Sequence, residues 1–123
     1  PCAVPGMQVA FKADSELVEC AKKACEANLP ERKCICGRIA SGDQFIASRE
    51  QKNKIKELCN PACVEMEGAS IAHVCTQNGI PFVVLRSMSD MADDDAGSTA
   101  EFNEKNAGET SAILVTAMLK ELK

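Results

Sequence analysis

Apolar residues recur every three or four positions in several stretches of the chain, which is the spacing of one face of an α-helix. The first stretch begins where Asp14 or Ser15 can cap a helix, and it ends at Pro30. The second follows the capping-box pair Ser48 and Gln51 and stops before an Asn-Pro pair. These signals predict two helices with defined ends.

Two further helices are predicted in the second half of the chain. One runs from about residue 66 to residue 78, with Gly79 as its left-handed cap. The other closes the chain, and its apolar positions are Ile113, Leu114, Ala117, Met118 and Leu122.

Two short apolar runs have the character of β-strands. The run from Cys34 to Ala40 leads into a Ser-Gly-Asp loop, and the continuous run from Phe82 to Leu85 is typical of a strand buried on both faces. Helices that alternate with buried strands predict an α/β fold, with helices on both faces of a parallel or mixed sheet. Two or three strands cannot cover four helices, so the pattern indicates a portion of a larger domain.

Composition narrows the class of protein. The chain has 123 residues, of which 46% are hydrophobic and 26% charged, as expected for one folded domain. Its formal net charge is −4 and its 14 Lys and Arg residues are scattered, so we expect no nucleic-acid partner. The apolar runs fall far short of the roughly 20 residues that span a bilayer. We therefore expect no membrane partner and a soluble, cytoplasmic protein.

The cysteines number eight, which raises the possibility of disulfides or of a metal module. No CxxC pair is present, Cys20 and Cys25 fall within a helical pattern, and Cys34 and Cys36 fall within a strand-like run. We expect all eight to be thiols that pack as small apolar residues in a reducing compartment, with no metal site. Disulfides or a bound metal remain the alternative interpretations.

Three segments carry a functional signal: RIASGDQFI at 38–46, VEMEGASIAHVC at 64–75 and PFVVLRSMSDMAD at 81–93. Each alone is weak. In this order and spacing, the chain from about residue 6 onward resembles the C-terminal half of the 5′-methylthioadenosine/S-adenosylhomocysteine nucleosidases, within the nucleoside phosphorylase superfamily. The resemblance implies a three-layer α/β/α sandwich with a mixed sheet, of which residues 1–123 would be the C-terminal part of a single domain.

The resemblance also implies hydrolysis of an N-glycosidic bond to adenine, which needs an acid for the leaving base. That acid is implied to be Asp90, which would protonate N7 and hold the exocyclic amine. An ordinary Asp has a pKa of about 3.9, so it needs the shielding that a buried strand end provides. Glu67 would accept hydrogen bonds from both ribose hydroxyls, with Met66 lying against the sugar, although a first-turn Glu can also stabilise a helix N-terminus.

Two contacts with the adenine base are implied in the same way. Phe45 would stack on adenine, and the main chain of Ile46 would read the edge of the base. Arg86 and Ser89 lie beside Asp90 in the sequence, so we expect Arg86 to orient a site carboxylate and Ser89 to be a hydrogen-bonding neighbour of the acid. The other residue expected to bind substrate is Val64.

Two residues near these segments are left out of the predicted site. Glu65 lies two positions before the ribose-binding Glu67 and is expected to point elsewhere. The single histidine, His73, lies inside a predicted helix and is expected to have a packing or surface role.

The resemblance is incomplete. Chains of the family are about twice as long, and their N-terminal half supplies the Glu that activates water, which nothing here matches. We therefore expect the isolated chain to be inactive, the enzyme to be a homodimer without a cofactor, and its substrate to be a small nucleoside. Thr99 replaces a phenylalanine of the family's 5′-alkylthio pocket, which leaves open the preference between methylthio and homocysteinyl substrates. A nucleoside phosphorylase and a non-catalytic cysteine-based binding module remain alternatives.

Overall fold

A computed structural model describes residues 6, 9–88 and 100–122, with side chains from residue 106 onward in the last range. Four helices and two short strands occupy these residues. In chain order they are α1 (Ser15–Asn28), β1 (Ile39–Ser41), α2 (Arg49–Cys59), β2 (Cys63–Glu65), α3 (Gly68–Gln77) and α4 (Ala100–Glu121). The four predicted helices and the α/β class are thus confirmed.

The helix ends follow the capping signals in the sequence. The Asp14 carboxylate accepts two backbone N–H bonds of 3.0 Å from the first turn of α1. Ser48 and Gln51 form the full capping box at α2. This helix ends at Asn60, whose φ of 43° is left-handed, and Gly79 adopts a φ of +64° just beyond α3.

The core of the described residues lies between α1 and α4. Ala21 and Ala24 of the first helix are buried against Ala117 and Met118 of the last. Alanines occupy three of these four positions, so the two helices can approach closely. The close approach brings many atoms into van der Waals contact although the side chains are small. The partly buried residues packed around this cluster are Cys20, Leu114, Val83 and Leu85.

The two strands form a parallel pair in which Ile39 lies opposite Cys63. The strand predicted over residues 34–40 is therefore shorter and begins later. Pairing starts where the Ala62 N–H donates to the Arg38 carbonyl at 2.7 Å, and no strand among the described residues lies beside 34–37. Without such a partner, that apolar run stays exposed and irregular.

The run Phe82–Leu85 also departs from its prediction. It forms no strand, and its side chains are half-buried rather than buried on both faces. The Asp14 N–H donates a backbone hydrogen bond of 2.8 Å to the Phe82 carbonyl. The side chains of Val83 and Leu85 pack on the core between α1 and α4. None of the described strands pairs with this run, so it lacks the hydrogen-bond ladder that defines a strand.

The cysteines are less buried than expected. Of the seven that the structure describes, all are free thiols, but Cys25 alone is buried. Cys34 and Cys36 are exposed because the strand predicted around them does not form, and the others are half-buried. As for membranes, none of the described helices combines the length and apolar character that crossing a bilayer requires.

We predict that Gly37→Ala destabilises the chain. A Cβ at Gly37 would lie 2.8 Å from the Cβ of Ala62, at the point where β1 and β2 begin to pair. Relieving that overlap should cost about 1–3 kcal/mol in the free energy of unfolding, measured with urea. Gly42→Ala is the control, since a Cβ there meets nothing within 4 Å. Equal stability of the two variants would contradict the assigned close approach.

Candidate active site

The carboxyl ends of the two parallel strands lie at the same edge of the pair. Ser41 ends β1 and Glu65 ends β2, and the register places these two residues directly opposite each other. In open α/β sheets, ligands bind beyond the carboxyl ends of the strands. The segments 38–46 and 64–75 therefore meet at the edge where such a site is expected.

Glu65 is the buried polar residue at this edge, with 7% of its surface exposed. Its carboxylate accepts hydrogen bonds from the Ser41 hydroxyl, from the Glu67 N–H at 3.0 Å and from the Gly68 N–H at 2.6 Å. The Ser41 hydroxyl in turn accepts from the Ala69 N–H at 2.8 Å. Together the two side chains satisfy three backbone donors at the start of α3.

The charge of Glu65 suits this position. Burial alone would raise the pKa of its carboxyl group. The three hydrogen bonds and the positive charge of Arg86 outweigh that effect and hold the pKa below its ordinary value. The carboxylate also faces the positive end of the α3 dipole. Glu65 is therefore an ionised structural residue that fixes α3 on the strand pair.

Glu67 is left without a capping role by this arrangement. It occupies the N-cap position of α3, yet its side chain makes no capping hydrogen bond. The carboxylate reaches instead toward Arg86, with 3.7 Å between Oε2 and Nη1, and the two side chains are 65% and 44% exposed. An ion pair this exposed adds little stability. The ion pair matters because it holds the Glu67 carboxylate, exposed to solvent, at the carboxyl ends of the two strands.

Arg86 brings the third segment to the same place. Burial raises the pKa of the Cys63 thiol on β2, and the charge of Arg86 opposes that rise. The guanidinium thus lies close to the second strand as well as to Glu67. Residues from 64–75 and from 81–93 therefore converge, as the predicted role of Arg86 requires. Ser89 and Asp90, the predicted neighbour and acid, lie outside the described residues.

The other predicted contacts surround this edge. Phe45 lies in the loop after β1 with 74% of its surface exposed, so its ring is accessible to a planar ligand. Ile46 is half-buried in the same loop. Val64 is half-buried in β2, and Met66 is exposed in the bend between that strand and α3.

His73 is placed among packing contacts. Its ring stacks on Phe11, with the centroids 5.4 Å apart and the planes 15° from parallel. The Nε2 atom is buried and has no hydrogen-bond partner among the residues described. No group of three or more potential metal ligands occurs in those residues either.

The chain is similar to known proteins over nearly its whole length. The sequence profile of the phosphorylase superfamily matches residues 3–120. The chain belongs to the phosphorylase superfamily. Among curated relatives, the 5′-methylthioadenosine/S-adenosylhomocysteine nucleosidase of Shewanella halifaxensis is 47% identical over 92% of this chain and 49% of its own length. The chain thus spans about half the length of the curated relatives it matches.

Solved structures of the phosphorylase superfamily agree with the fold. The nucleosidase of Colwellia psychrerythraea, solved in complex with adenine, is 39% identical with a TM-score of 0.86, covering 98% of this chain and 50% of the other. A mutant futalosine hydrolase of Helicobacter pylori is 34% identical with a TM-score of 0.87, covering 97% and 51%. The nucleoside phosphorylase-like fold inferred from the three segments is confirmed.

Sequence reasoning missed the supporting role of Ser41 and Glu65 in this superfamily member. It expected Glu65 and Glu67 to point apart in extended chain, but residues two apart in a strand face the same way. They diverge because β2 ends at Glu65 and the chain bends at 66–67. The contact depends on the parallel pairing of β1 and β2, which brings a hydroxyl and a carboxylate together at a helix start and which no local sequence signal predicts.

We predict that Glu65→Gln lowers stability near pH 7 by about 2 kcal/mol, since a charged acceptor of several hydrogen bonds is lost. The folded-state pKa of Glu65 is depressed, so its contribution is fully present above the unfolded value of about 4.3 and is lost as pH falls through the folded value. Urea unfolding at about pH 7 and about pH 3 should show the difference shrink in acid.

The control is Glu109→Gln, on the exposed face of α4, which should change stability little at either pH. A difference between wild type and Glu65→Gln that is as large in acid as at neutral pH would count against the ionised, helix-capping role.

Proposed function

We propose that the protein carrying this chain hydrolyses the N-glycosidic bond of 5′-methylthioadenosine and S-adenosylhomocysteine, releasing adenine and the thioribose product. The observation that carries the proposal is the exposed Glu67 carboxylate, released from helix capping by Glu65 and paired with Arg86. An acceptor held open at the carboxyl end of the strands suits two neighbouring hydroxyls. The similarity to nucleosidases, one solved with adenine, supports the same activity.

The proposed roles come from the resemblance to the nucleosidases, and the exposed positions of several of these side chains support them. Glu67 accepts hydrogen bonds from the ribose 2′ and 3′ hydroxyls, and Arg86 fixes the direction of its carboxylate. Met66, exposed beside it, lies against the sugar. The accessible ring of Phe45 stacks on adenine. The main chain of Ile46 reads the base edge, and the half-buried Val64 of β2 contributes to substrate binding.

The chemical step is a substitution at C1′ of the ribose. As the bond from C1′ to N9 breaks, positive charge develops on the sugar and negative charge on the purine. Asp90 donates a proton to N7 so that adenine leaves neutral, with Ser89 as its hydrogen-bonding neighbour. Water adds to C1′ and gives up a proton, so the reaction needs neither metal nor other cofactor.

The proposal extends to parts that this chain does not supply. No residue of the chain matches the family's water-activating Glu, so residues 1–123 are proposed to be the C-terminal part of one nucleosidase domain. The complete enzyme is proposed to be a cytoplasmic homodimer. The −4 net charge of this 123-residue chain and its scattered basic residues favour a nucleoside over a nucleic acid as partner.

Futalosine hydrolysis is the second candidate. The Helicobacter pylori futalosine hydrolase mutant matches with a TM-score of 0.87, as close as the Colwellia nucleosidase at 0.86. Phosphorolysis is a third, since the matching superfamily is that of the phosphorylases. The Glu67 carboxylate does not distinguish these three reactions, so a substrate assay must separate them.

We predict phosphate-independent release of adenine from methylthioadenosine by this chain fused behind the N-terminal half of the Shewanella relative. The chain alone should release adenine at least about 100-fold more slowly, because it lacks the water-activating base. The assay follows adenine by chromatography, with and without phosphate, and offers futalosine in parallel. Activity only with phosphate, or only on futalosine, would favour the corresponding alternative.

In the same fusion, we predict that Asp90→Asn lowers turnover by about two orders of magnitude or more, because it removes the proton donor to N7. KM should change far less. Glu67→Gln should instead raise KM and lower kcat together, because it weakens a charge-assisted acceptor of two hydroxyls.

Glu57→Gln, on the exposed face of α2, is the control and should leave both constants unchanged. Steady-state kinetics with methylthioadenosine as substrate give kcat and KM for all three variants. Near-normal turnover of Asp90→Asn would refute the assignment of the leaving-group acid.

A further inference from the structure

A hydrogen bond between two serines joins the third functional segment to the last helix. The hydroxyl oxygens of Ser87 and Ser111 lie 2.9 Å apart, and both side chains are half-buried. Ser87 follows Arg86 directly in the chain, whereas Ser111 belongs to α4, 24 positions later. The reaction proposed above uses neither serine.

The segment that ends at Ser87 is anchored on one side by several contacts. The Phe82 carbonyl accepts a backbone hydrogen bond of 2.8 Å from the Asp14 N–H, just before α1. The side chains of Val83 and Leu85 then pack on the core between α1 and α4. The Ser87 hydroxyl adds a polar anchor to the same pair of helices. Every second side chain therefore faces these helices, as expected of extended chain.

Arg86 lies between two of these anchors and faces the other way. Its Nη1 atom is 3.7 Å from Oε2 of Glu67, at the start of α3. An ion pair as exposed as this one is too weak to fix the direction of a long, flexible side chain. The direction of Arg86 therefore depends on how the backbone on either side of it is held.

Ser111 lies on the buried face of α4. It precedes Leu114 by three positions and Met118 by seven, which is the spacing of one helix face. Met118 is part of the buried core, and Leu114 packs against it. A hydroxyl on such a face is costly unless it has a hydrogen-bond partner, and the Ser87 hydroxyl is that partner.

The serine pair differs in kind from the apolar contacts that precede it. Packing of Val83 and Leu85 holds the segment against the helices but tolerates small shifts along them. A hydrogen bond restricts both the distance and the direction between its two groups. The bond between Ser87 and Ser111 thus sets the backbone position next to Arg86 more narrowly than packing does.

We propose that Ser111 is a positioning residue for the candidate active site: through Ser87 it fixes the backbone beside Arg86, so that the guanidinium directs the Glu67 carboxylate toward the sugar. This role rests on the proposed function, in which Glu67 accepts hydrogen bonds from the ribose hydroxyls. Ser111 acts through Arg86 and not by contact with the substrate. Loss of one neutral, half-buried hydrogen bond should weaken substrate binding about three- to tenfold.

The first test is steady-state kinetics in the fusion with the N-terminal half of the Shewanella relative. Ser111→Ala should raise KM for methylthioadenosine about three- to tenfold, and Ser87→Ala should do the same. The double variant should add little to either single variant, because both remove the same bond. A mere loss of folded enzyme would instead lower kcat and leave KM unchanged.

Thr110→Ala is the matched control on the same helix. The Thr110 hydroxyl is also half-buried, but it donates to the Asn106 carbonyl of α4 itself at 2.8 Å and not to another segment. Its removal should leave KM unchanged. Ser87→Thr is the conservative variant: it keeps the hydroxyl, and extended chain accommodates a β-branched side chain. It should restore KM to within about twofold of wild type.

A double variant shows whether Ser111 acts through Glu67. In a Glu67→Gln background the carboxylate that Ser111 directs is already gone. Ser111→Ala should then raise KM by less than about twofold. Two residues that affected binding independently would show the full rise in both backgrounds.

A second readout does not depend on hydrolysis. The positive charge of Arg86 opposes the rise in the pKa of the Cys63 thiol that burial causes. If Ser111→Ala lets the guanidinium move away, the pKa of Cys63 rises, and its alkylation by iodoacetamide shifts to higher pH. The alkylation rate at Cys63 is followed by mass spectrometry on the 123-residue chain. Arg86→Gln gives the reference shift, and Thr110→Ala should match wild type.

The two readouts separate failure of this role from failure of the proposed function. A wild-type fusion that releases no adenine would refute the hydrolysis, while the Cys63 profile would still test Ser111. An unchanged profile in Ser111→Ala, with unchanged circular dichroism, would overturn the positioning role. A rise in KM that persists in full in Glu67→Gln would do the same. If Ser111→Ala does not fold, Ser87→Ala removes the same bond and serves for both measurements.

Discussion

The carboxylate of Glu65, buried against the first backbone N–H groups of α3, is the interaction on which the rest of the candidate site depends. It joins three elements at one point, because it ends β2, contacts Ser41 at the end of β1 and caps the following helix. A buried charge is tolerated only where hydrogen bonds replace its hydration. Here they do, so the position of α3 relative to the strands is set by a polar contact rather than by apolar packing.

The same contact explains how two neighbouring glutamates take different roles. One carboxylate is enough to satisfy the N–H groups at the start of α3, so the other is left at the surface. Gly68 makes room for this arrangement, since a Cβ there would lie 3.0 Å from the Glu65 Oε1 atom. The structural role of Glu65 and the proposed substrate-binding role of Glu67 are thus divided between residues two positions apart.

The sequence predicted the helices well and the strands poorly, for a physical reason. A helix satisfies its backbone internally, so local signals such as Asp14, the Ser48–Gln51 box and Gly79 are sufficient to locate its ends. A strand depends on a partner that may lie far away in sequence. The runs 34–38 and 82–85 have the composition of strands, but no neighbouring strand among the described residues pairs with them.

The candidate site shows the same contrast between what local sequence predicts and what depends on distant contacts. Glu67 and Arg86 were each predicted as site residues, the first from the resemblance to a family and the second from its position beside Asp90, but the contact between them was not predicted. The role of Glu65 was not expected, since it depends on where β2 stops and on a hydroxyl supplied by β1, 24 residues earlier. Local pattern carries little information about contacts of that separation.

The packing of α1 on α4 has a consequence for how the chain is made. The Cys20 thiol of the first helix reaches the Met118 carbonyl of the last across 98 positions of sequence. The apolar stripe of α1 therefore leaves the ribosome long before its partner helix has been translated. Contacts of such long range form slowly, and the uncovered stripe is prone to aggregation in the meantime. During synthesis, this stripe is a surface that a chaperone would need to cover until the last helix emerges.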